Sequence, residues 1–206
     1  LGRAVGRLDV RRDTRINSEL RMRIGIDNPG SPNVQAGLAR YPIFAVTGGT
    51  AGVEHDINRL QVSLHGFADR TMYQNSLLTD GTSASNADRN FNQYGAVGRV
   101  SYDLLPGFKP FGEVEADARN RDTRVDRDGF QRDSHGGYAK VGTSFELTRL
   151  LIGEASIGYT ARNYADPRLD QLTGLLTSGS LIWSASALTT ARFTSVTFVD
   201  ESFVPG

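Results

Sequence analysis

The stretch Tyr94-Gly95-Ala96-Val97-Gly98-Arg99-Val100-Ser101-Tyr102-Asp103-Leu104 decides the reading of this chain. Tyr94, Ala96, Gly98, Val100, Tyr102 and Leu104 fall on one side of an extended segment, and Gln93, Arg99, Ser101 and Asp103 on the other. Three more segments follow the same rule. Val114, Ala116 and Ala118 oppose Glu113, Glu115, Asp117, Arg119 and Arg121. Ala139, Val141, Thr143, Phe145 and Leu147 oppose Lys140, Ser144 and Glu146. Leu151, Ala155, Ile157, Tyr159 and Ala161 oppose Glu154, Ser156 and Arg162. Strict period-two alternation makes a sheet with one apolar and one polar face. The connections alternate in length: Leu105-Pro106-Gly107 and Thr148-Arg149 are short, whereas Asp122 to His135 and Tyr164 to Gly174 are long. Short turns at one end and long loops at the other characterise outer-membrane barrels.

Working outward, the same pattern covers the rest of the chain. Ala4, Gly6, Leu8 and Val10 alternate with Arg3, Arg7, Asp9 and Arg11, and a turn near Arg12-Asp13-Thr14 leads into Ile16, Leu20, Met22, Ile24 and Ile26. Asn28 to Asn33 opens a long loop that runs to Tyr41. Residues 42–54 make the weakest strand, because Gly48, Gly49 and Gly52 dilute its pattern. After a turn at Asp56-Ile57-Asn58 come Leu60, Val62, Leu64, Gly66 and Ala68, then a polar loop from Gln74 to Asn90. Beyond the four central strands, Leu181 and Trp183 belong to residues 175–184, and Ala191 and Phe193 to residues 189–199, joined by a turn at Ser186-Ala187-Leu188. This gives about ten strands, each of a length that crosses a bilayer when tilted. In a chain that is 22% charged, repeated faces free of charge are strong evidence for the pattern.

Composition agrees. The chain balances 23 basic against 23 acidic residues, and 38% is hydrophobic. That fraction is below the roughly 45–50% of soluble domains, and a barrel with a thin apolar band and a wet interior tolerates it. The charge balance speaks against nucleic acid as a partner. The absence of cysteine excludes thiol chemistry and thiolate metal sites.

Several segments resemble the Putative beta-barrel porin 2 family. They are Ser101-Tyr102-Asp103-Leu104-Leu105-Pro106-Gly107, Gly153-Glu154-Ala155-Ser156-Ile157-Gly158-Tyr159, Asp166-Pro167-Arg168-Leu169, Ser180-Leu181-Ile182-Trp183-Ser184 and Leu188-Thr189-Thr190. Asn28-Pro29-Gly30-Ser31-Pro32-Asn33 is similar to that family's first long loop. The resemblance implies an outer-membrane barrel of Gram-negative bacteria, longer than this chain, with some relatives associated with surface-polysaccharide genes. It carries no catalytic residues.

The expected fold is therefore all-β: a single transmembrane domain over residues 1–206, an antiparallel up-and-down meander. It is expected to be an open fragment of a longer barrel, because the chain begins inside a strand and ends in a loop. The short turns should face the periplasm. Arg99, Glu113, Glu115, Asp117, Arg119, Lys140, Glu146, Glu154, Arg162 and Arg192 are expected to line the lumen. They would make either a polar pore with walls of mixed sign or a network of ion pairs that fills a narrow interior. Tyr94, Tyr102, Phe145, Tyr159, Trp183 and Phe193 are expected on the outer face, at the membrane interfaces. A soluble β-sandwich is the alternative fold.

Three functions compete. The first is passage of small polar solutes or surface polysaccharide. The second is a structural or assembly barrel with a plugged interior, and the third a barrel hydrolase. His65 and Asp69 share a face but lie about 13 Å apart along an extended strand, and no nucleophile motif accompanies them. No catalytic residue, cofactor or metal is expected. Asp126-Arg127-Asp128-Gly129 lacks the spacing and closing glutamate of a calcium loop and reads as solvated. Outer-membrane lipid and the solute are the expected partners.

Overall fold

The computed structural model describes residues 1–27, 37–186, 188–197 and 199. The expected loop at 28–33, the turn residue Ala187 and the terminal residues 200–206 lie outside the described residues. In chain order the elements are β1 (Gly2–Arg11), β2 (Thr14–Ile26), β3 (Leu38–Arg40), β4 (Ile43–Ile57), β5 (Leu60–Tyr73), β6 (Ser76–Leu78) and β7 (Ser83–Ala84). A single 3-10 turn at Ala87–Arg89 precedes β8 (Phe91–Tyr102), β9 (Phe108–Arg121), β10 (Ser134–Thr148), β11 (Leu151–Tyr164), β12 (Leu172–Ser186) and β13 (Thr189–Val196).

Ten strands form one antiparallel sheet in the order β1-β2-β4-β5-β8-β9-β10-β11-β12-β13. Each strand pairs with its neighbour in the chain, an up-and-down meander. The sheet is open, because among the described residues β1 pairs only with β2 and β13 only with β12. The three short strands β3, β6 and β7 pair separately within the long loops. Alternation could not reveal them, since two or three residues are too few to show a period.

The register puts every expected apolar face on one side. Val114 pairs with Ala139, Val141 with Ile157, and Tyr159 with Leu175. Burial is inverted relative to a soluble protein. Phe111 is the only large apolar side chain buried among the described residues, while Asp117, Glu113, Arg162 and Ser101 are all buried. Leu20, Val114, Val141 and Ile157 are exposed. Such a surface is stable only where something other than water covers it.

The polar face is concave. Arg99 on β8 bonds Glu154 on β11 at 2.8 Å, although β9 and β10 lie between them. Three strand spacings of ~4.8 Å exceed the combined reach of these side chains on a flat sheet, so the sheet curls towards its charges.

Two differences from the sequence reading have local causes. The turn expected at Asp56-Ile57-Asn58 falls at Asn58 and Arg59. Asp56 stays in the strand, where it accepts hydrogen bonds from Arg15 and from Gln61 Nε2 (2.8 Å). Asn58 takes the left-handed backbone, φ 54°, which asparagine tolerates. The strand expected to be weakest, β4, runs for 15 residues. Its Gly48 lies in one row between Arg21 and Asp69. A Cβ there would collide with the Asp69 carboxylate, which reaches over the glycine to bond Arg21 Nε at 3.0 Å.

Val141 is 63% exposed at the middle of β10, on the apolar face, and its neighbour Lys140 faces the opposite way to Glu113, at 2.8 Å. Val141→Arg is expected to destabilise the membrane-folded protein by about 2–4 kcal/mol, and Lys140→Ala by much less. Urea titrations in lipid vesicles measure both, and equal losses would contradict the assignment of faces.

Candidate functional site

The polar face carries three connected groups of charge. Arg99 is the centre of the first. Its guanidinium lies 3.5 Å over the Phe111 ring, 3.4 Å from Glu113 and 2.8 Å from Glu154. Lys140 (2.8 Å) and the Tyr138 hydroxyl (2.6 Å) also reach Glu113, and Ser144 donates to Glu154 at 2.7 Å.

The second group spans β9 to β11. Arg162 holds both oxygens of Asp117, at 2.6 and 2.7 Å, across Gly136, which pairs with both residues. Gln93 donates to Asp117 at 2.8 Å and accepts from Arg119 at 3.2 Å. Glu115 sits between these two groups, half-buried. Of the remaining expected lumen residues, Glu146 and Arg192 lie on the same face but are exposed towards the short turns, outside both groups.

The third group does not figure among the expected lumen residues. Arg15 pairs with Asp56 and lies 3.8 Å from Glu54, Asn17 donates to Glu54 at 2.9 Å, and Arg21 binds Asp69. Its signal was the same alternation on β2, masked on β4 by glycines. Asp69 therefore serves Arg21, while His65 Nε2 stands 4.0 Å from Glu54. Between the first and third groups lies a cavity of about 360 Å³, lined by Glu54, Ser63, His65, Arg99, Lys109 and Ser144 among others.

The expected interface aromatics occupy the opposite face. Tyr94, Tyr102, Tyr159, Trp183 and Phe193 are exposed there, and Phe145 is half-buried. Tyr102, Phe145 and Trp183 lie towards the short turns, together with Phe108. Tyr94 stands eight residues from Tyr102, about 27 Å along the strand, comparable with the ~25 Å apolar band of such barrels.

A sequence model of the family described as "Putative beta-barrel porin 2" matches residues 1–206, the whole chain. The chain belongs to that family. Among solved structures, the Pseudomonas putida toluene transporter TodX is similar, with a TM-score of 0.56 and 11% sequence identity over 95% of this chain and 67% of that one. At that identity the likeness concerns the fold. Curated proteins give no match.

In this member of the Putative beta-barrel porin 2 family the long loops are not loose connectors. Asp126, expected in a solvated loop, is buried. It accepts the backbone N–H groups of Asp128 and Phe130, both at 2.9 Å, and pairs with Arg132. An aspartate that anchors its own turn explains the Asp126-Arg127-Asp128-Gly129 sequence without a cation. Arg127 then crosses to the preceding loop and binds Asp88 (2.6 Å). Asp166 of the following loop accepts the Gln131 N–H (3.0 Å) and holds Arg168, which in turn donates to the Gly129 carbonyl at 2.6 Å. Three loops thus interlock.

Asp117→Ala removes the carboxylate that Arg162 grips in a buried site, and it is expected to cost about 3–5 kcal/mol. Replacing both residues by apolar ones should recover much of that loss. Chemical denaturation of the vesicle-folded variants measures both, and a double variant as weak as the single one would refute the pairing.

The loop carboxylates also predict a pH dependence. Burial works to raise the Asp126 carboxyl, but the Phe130 N–H and the Arg132 guanidinium outweigh it and hold it below its ordinary 3.8. Arg168 and the Gln131 N–H hold Asp166 below its ordinary value too. A depressed carboxyl stabilises the fold above its unfolded pKa, and that stabilisation is lost as pH falls through the folded value. The loop layer should therefore loosen only below about pH 4. Hydrogen-exchange protection of the Asp128, Phe130 and Gln131 amides should fall there, and protection unchanged down to pH 2 would contradict the prediction.

Proposed function

We propose that this chain forms the wall of an outer-membrane porin-like barrel that passes small polar solutes along its charged concave face. The observation that carries the reading is the inverted burial: ionic groups gathered on one face and a bare apolar band on the other. Lipid outside and a polar interior would satisfy both. Family membership supports it. The ten expected lumen residues supply walls of both signs, which favours neutral or zwitterionic solutes over simple ions. The aromatic residues would sit at the two lipid–water interfaces, with the short turns in the periplasm. The observations do not favour a surface polysaccharide as cargo.

A specific observation favours the plugged alternative enough to state it. Arg99, Lys140, Glu113 and Glu154 are bound to one another, and a network of that kind can also fill an interior. Planar-bilayer recording separates the two. A channel should give stable conductance steps, with a reversal potential near zero in a KCl gradient because the walls are of mixed sign. Arg99→Gln leaves Glu113 and Glu154 less compensated, so the reversal potential should move towards that of a cation-selective pore. Absence of steps from protein correctly folded in the bilayer would establish a closed interior.

A further inference from the structure

We propose that the short-turn end carries an arginine collar that binds the anionic headgroups of phospholipids in the adjoining leaflet. This rests on the reading of the sheet as membrane-spanning, not on channel activity. Arg11, Arg12, Arg59 and Arg149 stand at the β1–β2, β4–β5 and β10–β11 turns, all exposed, and none pairs with a described residue. At the other end of the sheet most arginines are paired, although Arg40 and Arg124 are exposed there too. There Arg89, Arg127, Arg132 and Arg168 each bind an aspartate. The carboxylates near the collar offset it only in part. Asp103 faces Lys109 at 3.5 Å, Asp9 pairs with Arg7 at 2.9 Å and Glu146 lies on the concave face, which leaves Asp13, bonded to the Thr14 hydroxyl at 3.1 Å, beside Arg12.

A second observation places this end in a lipid interface. Leu147 and Leu150 beside the Arg149 turn, and Leu105 and Leu188 in two other short turns at the same end, are more than half exposed. The aromatic row of Tyr102, Phe108, Phe145 and Trp183 lies immediately above them on the apolar face. Bare aliphatic side chains beside unpaired guanidinium groups suit the boundary between acyl chains and phosphates, where arginine extends its head to the polar layer. The guanidinium fork matches phosphate geometry. The partner is therefore an anionic phospholipid surface, not a soluble anion.

Trp183 is the chain's single tryptophan and serves as the reporter. It pairs with Leu151, and the neighbouring Ser184 N–H donates to the Leu150 carbonyl at 2.8 Å, so its backbone pairs two residues from Arg149. The protein is reconstituted in phosphatidylcholine vesicles that contain brominated phosphatidylglycerol or, in parallel, brominated phosphatidylcholine. The anionic lipid should quench Trp183 more strongly, with a relative affinity of about fivefold, the weight of one arginine at an anionic surface. Arg149→Gln should bring the ratio close to one, Arg149→Lys should keep most of it, and Arg124→Gln, in a long loop, should leave it unchanged. Inorganic phosphate in the buffer should not compete. Equal quenching by the two lipids would overturn the collar, as would effective competition by phosphate. No quenching by either lipid would overturn the membrane-spanning reading together with it.

Discussion

An ion pair that reaches over a glycine is the contact on which this sheet depends. Arg21 and Asp69 meet across Gly48, and Asp117 and Arg162 across Gly136. In each case a pair on alternate strands needs an empty position on the strand between. A side chain at the central position would part the charges and leave them half-desolvated, the costly state for any buried ion. Glycine weakens a strand considered alone, yet here it allows charges from alternate strands to be joined. Arg99 joins strands three apart without such a gap, past Glu113 and Lys140, which the curl of the sheet makes possible.

That arrangement explains why the polar side is the packed side. Soluble sheets bury apolar side chains and solvate charges. This one places Asp117 and Arg162 out of solvent, because each is held by a partner of opposite sign, and leaves Val141 and Ile157 bare. The same residues brace the wall and give it polarity. If the barrel is a channel, its brace and its lining are one set of side chains, and what distinguishes them is whether space remains between the groups. The cavity between Arg99 and Glu54 is such a space.

Much of this was legible in the residues. Alternation gave the ten long strands, their faces and the order of short and long connections, because a period of two needs only a window of several residues. It failed where the window was too short, at β3, β6 and β7, and it was faintest on β4, where Gly48 and Gly52 dilute the pattern for a structural reason. The loops were misread for a different cause. Asp126 looks solvent-loving in sequence, and its burial follows from Arg132 and two N–H groups of its own loop, while Asp166 is held in part by Gln131 across the gap. Long-range pairing of that kind leaves no local trace. Glu54 and Asp56 were overlooked as lumen residues because their partners, Arg15 and Asn17, lie two connections back along the chain.

The order of the sheet has a consequence for how such a wall can lengthen or shorten over time. Every long strand touches only the strands just before and after it in the chain, so no crossover fixes the total. A hairpin added or lost at any long loop would preserve the inside–outside parity of all the others, since it changes the count by two. What resists such editing is the small set of contacts that skip a strand. Duplication should thus be tolerated most readily beyond β11, since no ion pair among the described residues reaches β12 or β13 from another strand, and least between β8 and β11, which Arg99–Glu154 and Asp117–Arg162 tie together. The geometry divides the wall into a conserved-by-construction block and an expandable flank.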